Sequence, residues 1–276
     1  MAFDISTWAW LSVALTSLIL GSFLNVVAIR MPIILGITSR PTMLEGNQRN
    51  FNIATPGSLC MICGHPISAI DNIPLLSFAF LRGRCRHCGY RISWRYPLIE
   101  FVSMLLGLIL TYALGFSWAL VAASIFAFLS LAILLIDLDH MLIPNILVIP
   151  LFFIGLAVNA MGTFTIPINA ILGAIAGYLG FLFIARIARV VFGRPALGSG
   201  DIKLFSALGA WLGILHLPIA LFFACIVGSF IGLAMLHRNI GNDGRYVPFG
   251  PFLVFGGLLT LLFGDGIFTS YQSFFF

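Results

Sequence analysis

Residues 120–145 read LVAASIFAFLSLAILLIDLDHMLIPN, an apolar run that is long enough to cross a lipid bilayer and that ends in two aspartates. A membrane span needs about 20 predominantly apolar residues. The whole chain has the same character, because 61% of its 276 residues are hydrophobic and only 8% are charged. Its mean hydropathy of +1.10 is far above that of soluble globular proteins. The sequence therefore predicts an all-α polytopic membrane protein.

Eight stretches are apolar enough to be transmembrane helices, and one long polar segment separates the first from the second. The polar segment holds four of the five cysteines, which predicts a small extramembrane domain. We therefore divide the chain into a first transmembrane helix at 1–30, an extramembrane domain at 31–96 and a seven-helix membrane domain at 97–276. The predicted spans are 8–29, 97–115, 117–136, 145–163, 167–188, 202–215, 217–236 and 249–270.

The positions of the basic residues predict the orientation of the chain, because cytoplasmic loops are enriched in Lys and Arg. With eight spans, all 14 basic residues fall on one side, which is then the cytoplasmic side. Both termini, with Asp4 and Asp265, are expected on the periplasmic side. The basic residues are Arg30, Arg40, Arg49, Arg82, Arg84, Arg86, Arg91, Arg95, Arg186, Arg189, Arg194, Lys203, Arg238 and Arg245.

Four cysteines form two CxxC pairs in the polar segment. Cys60-Met-Ile-Cys63 is followed 21 residues later by Cys85-Arg-His-Cys88. Each CxxC turn directs two sulfurs at one ion, and two such pairs are typical of a tetrahedral zinc site. Disulfides are rare in the reducing cytoplasm. We therefore predict one structural zinc ion per chain, with the two histidines of these loops as less favoured alternative ligands.

Three aspartates, Asp137, Asp139 and Asp201, lie where predicted helices meet the cytoplasmic surface. An acid that faces lipid costs about 2.5–3.5 kcal/mol, so such residues usually face a protein interior or water and are functional. For Asp201, a purely capping role at the start of a helix is the alternative. Residues two apart on a helix are rotated by about 200°. Only one of Asp137 and Asp139 is therefore expected to face a partner.

Restricted and small residues flank these acids. Pro144 restricts Ile143 and is expected to begin the next span after a short turn. Gly198 and Gly200 have no Cβ, so that another backbone, such as that of a peptide substrate, can approach closely. The surroundings of the aspartates thus favour a site that is open to a peptide.

Two carboxylates that share a site can divide the work of peptide hydrolysis. An ionised carboxylate takes a proton from the attacking water, while its protonated partner polarises the carbonyl group and assists departure of the amine. Proximity keeps one proton in the pair. The chain contains no GxSxG, HExxH or P-loop motif. The aspartates are therefore the best candidates for catalysis.

A series of short motifs covers nearly the whole chain. The series is GSFLNVV at 21–27, RMP at 30–32, NIP at 72–74, LRGRC at 81–85, ISWRYP at 92–97, IPN at 143–145, GSGD at 198–201 and VPFGP at 247–251. In this order the motifs resemble those of the bacterial type IV prepilin peptidases, a family of bifunctional leader peptidases and N-methyltransferases. Met31 stands where the family usually has Leu.

The resemblance implies a membrane aspartic peptidase domain over 97–276 with catalytic residues Asp137 and Asp201. In the family, five residues lie between the first catalytic aspartate and an Ile-Pro or Leu-Pro pair, which selects Asp137 over Asp139. The implied reaction removes the basic leader of prepilins and pseudopilins at the cytoplasmic face of the bacterial inner membrane. The implied context is type IV pilus assembly and type II secretion, with no nucleic-acid partner.

The resemblance also implies that S-adenosylmethionine methylates the new amino terminus. No Rossmann-type glycine fingerprint follows a strand pattern in the sequence. The methyl donor must therefore bind in an unconventional pocket. Gly83 and Arg84, beside the second CxxC pair, are the candidate residues for it.

Two other functions compete with this interpretation. A proton-coupled transporter could use the aspartates as a proton relay, although such a protein usually has ionisable groups near mid-membrane and inverted repeats. A non-catalytic assembly factor of a pilus or secretion machine could use the zinc domain for docking. The metal site alone does not separate these possibilities.

Overall fold

The structure is a computed structural model that describes residues 5–39, 51–193, 197–237 and 247–275. It is built from α-helices, with a short 3-10 helix at Ile70–Asn72. The predictions for Asp4, Arg40, Arg49, Arg194, Arg238 and Arg245 concern positions outside the described residues. The helices are α1 (Ile5–Ile34), α2 (Leu76–Phe80), α3 (Arg95–Leu114), α4 (Trp118–His140), α5 (Asn145–Ala160), α6 (Pro167–Phe192), α7 (Ser199–His237) and α8 (Gly250–Phe275).

A helix lies at each of the predicted spans, and the all-α fold is confirmed. Among the described residues, six helices are long and apolar enough to cross a membrane, namely α1, α3, α4, α6, α7 and α8. Helix α5 is apolar but has only 16 residues. The two predicted spans at 202–215 and 217–236 form the single element α7. Its two halves are separated at Gly213, which has non-helical angles (φ 76°, ψ 170°).

Asn159, a fully buried residue of α5, forms hydrogen bonds with backbone groups at the break in α7. The side-chain amide donates to the carbonyl oxygens of Ala210 and Trp211, each at 2.8 Å. Its oxygen accepts the N–H groups of residues 164–165 at 3.0 and 3.2 Å. Backbone groups freed at membrane depth must find partners within the protein. Asn159 supplies them, and the chain can therefore turn at Gly213 without leaving polar groups exposed to lipid.

The chain forms two compact units, an N-terminal unit of residues 1–115 and a C-terminal unit of residues 116–276. The N-terminal unit holds α1, α3 and the segment between them. We call the described residues 51–94, which carry the four paired cysteines and include α2, the cysteine segment. The C-terminal unit holds α4 to α8. The predicted span at 97–115 therefore belongs with the first helix, whereas the sequence analysis grouped it with the helices that follow.

Small residues explain why α3 packs along α1. A Cβ atom on Gly21 would lie 2.8 Å from the Cβ of Ser103, so only glycine fits at this position. One helical turn further along α3, Gly107 faces Ser17 of α1. Small side chains of this kind let membrane helices approach closely and gain van der Waals contact. This close packing is the physical reason for the different grouping of the span.

Helices α6 and α7 also approach through glycines. Gly173 and Gly177 are four residues apart on α6, as are Gly209 and Gly213 on α7. A Cβ atom on Gly173 would lie 2.6 Å from the Gly209 carbonyl oxygen, and one on Gly177 would lie 2.8 Å from that of Phe205. Such contacts between backbones are characteristic of small-xxx-small packing. They fix the first half of α7, which begins beside the predicted catalytic residue of the GSGD motif.

Candidate active site, metal centre and cavity

Asp137 lies in the last turn of α4 and is buried, with 4% of its surface exposed. The helix ends at His140, and Met141 adopts the left-handed conformation with φ 51°. The N–H of Met141 donates to the Asp137 carbonyl oxygen at 2.8 Å and closes the helix. Asp139 is exposed. The two carboxylates therefore point in different directions, and Asp137 is the one that faces the protein.

Asp201 is the third residue of α7 and is half-buried. Its Oδ2 accepts the N–H of Gly198, the residue before the helix, at 3.1 Å. This is the return bond of a capping box, in which an acid in the first turn bonds the N–H of the N-cap residue. Asp201 does therefore stabilise the start of the helix. The cap is compatible with a second role.

The structure brings Asp137 and Asp201 together in the C-terminal unit. Ile143 packs against Gly200, beside Asp201, while both Ile143 and Oδ2 of Asp137 lie against Gly250, so the two aspartates lie around one residue, near enough for the charge of Asp201 to act on Asp137. Gly250 is the first residue of α8, where free N–H groups favour negative charge. Among the described residues, Oδ2 of Asp137 is buried and has no hydrogen-bond partner. An unpaired buried carboxylate oxygen lowers stability, and a catalytic role is one explanation for its presence.

The turn between α4 and α5 rests on the first turn of α7. A Cβ atom on Gly200 would lie 2.8 Å from the Cβ of Ile143, so the glycine lets the two segments touch. Pro144 is buried at the position before α5. Lys203 Nζ donates to Asn145 Oδ1 at 2.9 Å and ties α7 to α5. These contacts hold the two aspartate-bearing helix ends in place.

Three residues around the aspartates were not singled out from the sequence, namely Gly250, Asn145 and Lys203. Gly250 belongs to the VPFGP motif and Asn145 to the IPN motif. Both motifs were recognised in the sequence, but no role followed for these two residues. Nothing in the spacing shows that residue 250 returns to Asp137, because that approach depends on how α8 packs.

The four predicted metal ligands, Cys60, Cys63, Cys85 and Cys88, come together. Their sulfur atoms all lie within 4.8 Å of one another, and neither loop histidine belongs to the cluster. The Sγ atoms of Cys60 and Cys88 are 3.8 Å apart. A tetrahedral ion with Zn–S bonds of about 2.3 Å needs sulfurs about 3.8 Å apart. The donor set therefore fits a four-thiolate metal ion.

The two CxxC turns have the same backbone geometry. The N–H of Cys60 donates to His65 and the N–H of Gly64 to Cys60, at 3.0 and 2.9 Å, and the turn at Cys85 repeats both bonds at 2.9 and 3.0 Å. Gly64 and Gly89 occupy equivalent positions with φ 67° and 69°. Glycine adopts this left-handed conformation without steric cost. Two matching turns therefore present their sulfurs to one point.

The thiols of the cluster hold their protons unequally. The backbone at Tyr90 favours ionisation of Cys88, but burial and hydrogen bonds with the other three cysteines outweigh it and raise the pKa of Cys88 to about 11. Burial opposes ionisation of Cys60, but hydrogen bonds from Cys63 and Ile62 outweigh it and lower the pKa of this thiol to about 7. Thiolates are the form that binds metal. Arg86 hydrogen-bonds to Asp71 through Nε at 2.8 Å and lowers the pKa of that carboxyl group. The guanidinium group binds both carboxylate oxygens, which links the second CxxC turn to the 3-10 helix.

The N-terminal unit contains a cavity of about 900 Å³, which we call the N-terminal cavity. Its wall comes from α1, from the cysteine segment and from the start of α3. Apolar and aromatic side chains dominate, and charged groups are few. Its lining includes Arg30, Phe51, Phe78, Trp94, Tyr96 and Glu100.

Gly83 and Arg84, the predicted cofactor residues, do not line this cavity. Gly83 is buried, and a Cβ atom there would lie 2.9 Å from the ring of Phe78, which does line it. Arg84 is exposed. Gly83 therefore lies behind the ring of Phe78 and not in the cavity itself. That Gly83 and Arg84 bind the cofactor stays a prediction.

Comparison with known families divides the chain much as its compact units do. Residues 15–114 match the bacterial peptidase A24 N-terminal domain. Residues 124–233 match the type IV leader peptidase family. The first match ends one residue before the end of the N-terminal unit, and the second lies wholly within the C-terminal unit. No solved structure matches the chain.

Similar curated proteins cover nearly the full length. A protein of Aeromonas salmonicida (strain A449) is 39% identical over 96% of this chain and 95% of its own. A protein of Pseudomonas aeruginosa (strain PAO1) is 37% identical over 94% of this chain and 92% of its own. A protein of Burkholderia pseudomallei (strain K96243) is 40% identical over 90% of this chain and 83% of its own. Each is named prepilin leader peptidase/N-methyltransferase.

Proposed function

The chain belongs to the type IV leader peptidase family, and we propose that it removes the leader peptides of prepilins and pseudopilins by means of Asp137 and Asp201. One observation carries the assignment of residues. The buried carboxylate of Asp137, with an unpartnered oxygen, lies beside Asp201 at the meeting point of α4, α7 and α8. The relatives' names support neither a transporter nor a non-catalytic assembly factor.

The two carboxylates share one proton in this proposal. The ionised member takes a proton from water as the water oxygen attacks the scissile carbonyl carbon, and the protonated member donates a hydrogen bond to the carbonyl oxygen. The C–N bond then breaks, and the amine leaves with a proton from the pair. The unpartnered Oδ2 of Asp137 is the atom that would carry the shared proton. Gly198, Gly200 and Pro144 support the site by holding the helix ends that carry the aspartates.

The distribution of Lys and Arg supports an inner-membrane orientation with the aspartates at the cytoplasmic boundary. The cysteine segment is cytoplasmic and both termini are periplasmic in this arrangement. The substrate would then present its basic leader from the cytoplasm, with its apolar segment in the bilayer.

The relatives' names include an N-methyltransferase, and we infer that this chain also methylates the amino terminus that cleavage exposes. S-adenosylmethionine supplies the methyl group when bound. The protein's part is to hold the new amine and the donor together and to exclude water. The cysteine cluster would hold Zn²⁺ as a structural ion, because four thiolates leave no open position for substrate.

A purified-enzyme assay tests both activities. The full-length protein in lipid nanodiscs is incubated with a prepilin and with S-adenosylmethionine carrying a labelled methyl group. We expect mass spectrometry to show release of the leader, followed by label on the new amino terminus. Prepilin that stays intact would count against the peptidase, and cleavage without label would count against the methyltransferase alone.

Replacing Gly250 by alanine is expected to slow cleavage about 100-fold. The new methyl group would lie 2.5 Å from Oδ2 of Asp137 and 3.0 Å from Cδ1 of Ile143, so the carboxylate must move. A displacement of about 1 Å from the productive geometry can cost about 100-fold in rate. Initial rates of leader release measure the effect.

Gly266→Ala is the matched control, because it changes a glycine of the same helix with no atom within 4 Å of the added Cβ. It should cleave at the wild-type rate. A Gly250→Ala protein that cleaves within twofold of wild type would show that α8 does not position Asp137.

A further inference from the structure

Four large apolar side chains of the cysteine segment are exposed, and we call them the apolar stripe. They are Ile70, Ile73, Leu76 and Phe80, with 73%, 43%, 56% and 83% of their surface exposed. None of the four lines the N-terminal cavity. An exposed apolar surface of this kind marks a site of interaction with a protein or a membrane.

The spacing of the stripe places its members next to one another. Ile70 and Ile73 are three residues apart at the 3-10 helix, and Leu76 and Phe80 are four residues apart on α2. Residues with these spacings lie on the same face of such helices. The N–H of Ser77 donates to the Ile73 carbonyl oxygen at 3.1 Å, which joins the turn at Ile73 to the start of α2. The stripe is therefore one surface.

Two contacts hold α2 beside the first turns of α3. The N–H of Leu75, the residue before α2, donates to Glu100 Oε2 at 2.8 Å. The ring of Phe78 on α2 packs against Trp94, the residue before α3, with ring centroids 4.8 Å apart. Glu100 lies five residues beyond the first residue of α3, which is about 7.5 Å along a helix axis. Helix α2 therefore lies level with the first turns of α3.

The length of α3 fixes where that level falls in a bilayer. Its 20 residues give a helix of about 30 Å, the thickness of the hydrocarbon core. The first turns of α3 therefore lie where the headgroups meet the acyl chains. Trp94 is 76% exposed at this end of the helix, and tryptophan is enriched at membrane–water interfaces. The apolar stripe is thus held at the depth of the interface.

The charge of the cysteine segment suits an anionic membrane surface. Residues 51–94 contain four arginines and a single acid, Asp71, which is paired with Arg86. Arg82 and Arg84 follow α2 directly and are exposed. Among the described residues, no ion pair includes either of them. Apolar side chains flanked by basic residues are characteristic of elements that lie in the membrane interface.

We propose that the cysteine segment is docked on the membrane, with the apolar stripe inserted among the acyl chains of the leaflet that α3 enters and Arg82 and Arg84 in contact with anionic lipid headgroups. Interfacial helices bury their apolar face about 5–10 Å into this boundary. The bond from Leu75 to Glu100 holds α2 at that level. The inference requires only that α1 and α3 cross the bilayer, so it goes beyond the proposed function and does not depend on it.

Photo-cross-linking of the full-length protein in nanodiscs tests the docking. Phe80 is replaced by p-benzoylphenylalanine, and the nanodiscs contain phosphatidylethanolamine and phosphatidylglycerol in equal amounts. After irradiation, mass spectrometry identifies the molecule attached to the probe. Tyr90 carries the probe in the matched control, because it is an aromatic residue of the same segment that is 55% exposed and lies outside the stripe. Burial of a phenylalanine side chain changes its partitioning by about tenfold or more, so we expect phospholipid adducts at position 80 in a similar excess over position 90.

A second probe position makes the outcome decisive. The probe at Leu76 reports on the other end of α2 and should also give phospholipid adducts. Metal content equal to that of the unmodified protein verifies that each labelled segment is folded. Cross-links from both positions only to a second copy of the chain, or only to residues 116–276, would overturn the proposal. Phospholipid adducts that are no more frequent at positions 76 and 80 than at position 90 would overturn it as well.

Arg82→Gln, with the probe at position 80, tests the contact with headgroups. A basic residue near the surface enriches anionic lipid by about fivefold. Phosphatidylglycerol should therefore dominate the adducts, and its excess over phosphatidylethanolamine should fall by about twofold to fivefold in the variant. Arg186→Gln removes an exposed arginine of the C-terminal unit and should leave the ratio unchanged. Equal adducts of the two lipids in the protein with Arg82 intact would overturn the headgroup contact.

Discussion

Leader cleavage is expected to fall by about 100-fold to 10,000-fold when either Asp137 or Asp201 is replaced by asparagine, the range attributed to a general acid or base. Asparagine has nearly the same shape but neither takes a proton from water nor supplies one to the leaving amine. The amide oxygen can still accept the N–H bonds from Gly250 and Gly198, so the helix ends should keep their positions. Single-turnover rates with a purified prepilin measure the loss.

Asp139→Asn is the matched control, because it removes a neighbouring carboxylate of the same helix that is exposed. It should retain cleavage within about twofold of wild type. Metal content should be unchanged in all three variants, since no residue of the N-terminal unit is altered. Loss of cleavage in Asp139→Asn with activity kept in Asp137→Asn would reverse the assignment within the pair. Normal rates of leader cleavage in both Asp137→Asn and Asp201→Asn would show that the two aspartates are not the catalytic pair.

Helix geometry predicted that only one of Asp137 and Asp139 faces a partner, and the spacing in the family that the chain resembles selected Asp137. A rotation of about 200° between residues two apart means that one packed face cannot bury both. The structure buries Asp137 and exposes Asp139. That Asp201 is the partner is an inference from topology and from the GSGD motif, and it stays a prediction that the packing of Ile143 against Gly200 and Gly250 supports.

The cysteine site was predictable because its chemistry is local. Each CxxC turn with its following glycine sets two sulfurs by short-range hydrogen bonds, as the matching turns at Cys60 and Cys85 show. Little has to be known about the rest of the fold. Only the meeting of the two turns depends on tertiary packing.

Residues that act across the fold left no such signal. Asn159 bonds carbonyl groups more than 50 positions away at the break in α7. Gly250 reaches Asp137 only because α8 packs beside the end of α4. In the sequence, Glu100 is a single acid at the start of a predicted span. It lines a cavity only because the cysteine segment folds against that end of the helix. Position along the chain cannot reveal a role that is set by a distant partner.

Removing one thiolate is expected to unfold the cysteine segment. Cys60→Ser or Cys85→Ser should lower zinc content from about one ion per chain to none and expose the segment to protease. A structural zinc site of this kind contributes about 10–16 kcal/mol in small zinc-binding peptides, and among the described residues of the segment only two isolated bridges and short helices supply regular structure. The segment forms part of the wall of the N-terminal cavity, so the shape of that cavity should be lost with the metal.

Leader cleavage should be affected less than the fold of the cysteine segment, because every residue assigned to the peptidase site lies in residues 116–276. Cys225→Ser is the matched control, since this cysteine is exposed on α7 and lies outside the cluster. Elemental analysis and limited proteolysis measure metal and folding together. A Cys60→Ser protein that is metal-free yet as protease-resistant as wild type would show that the ion does not hold the segment together.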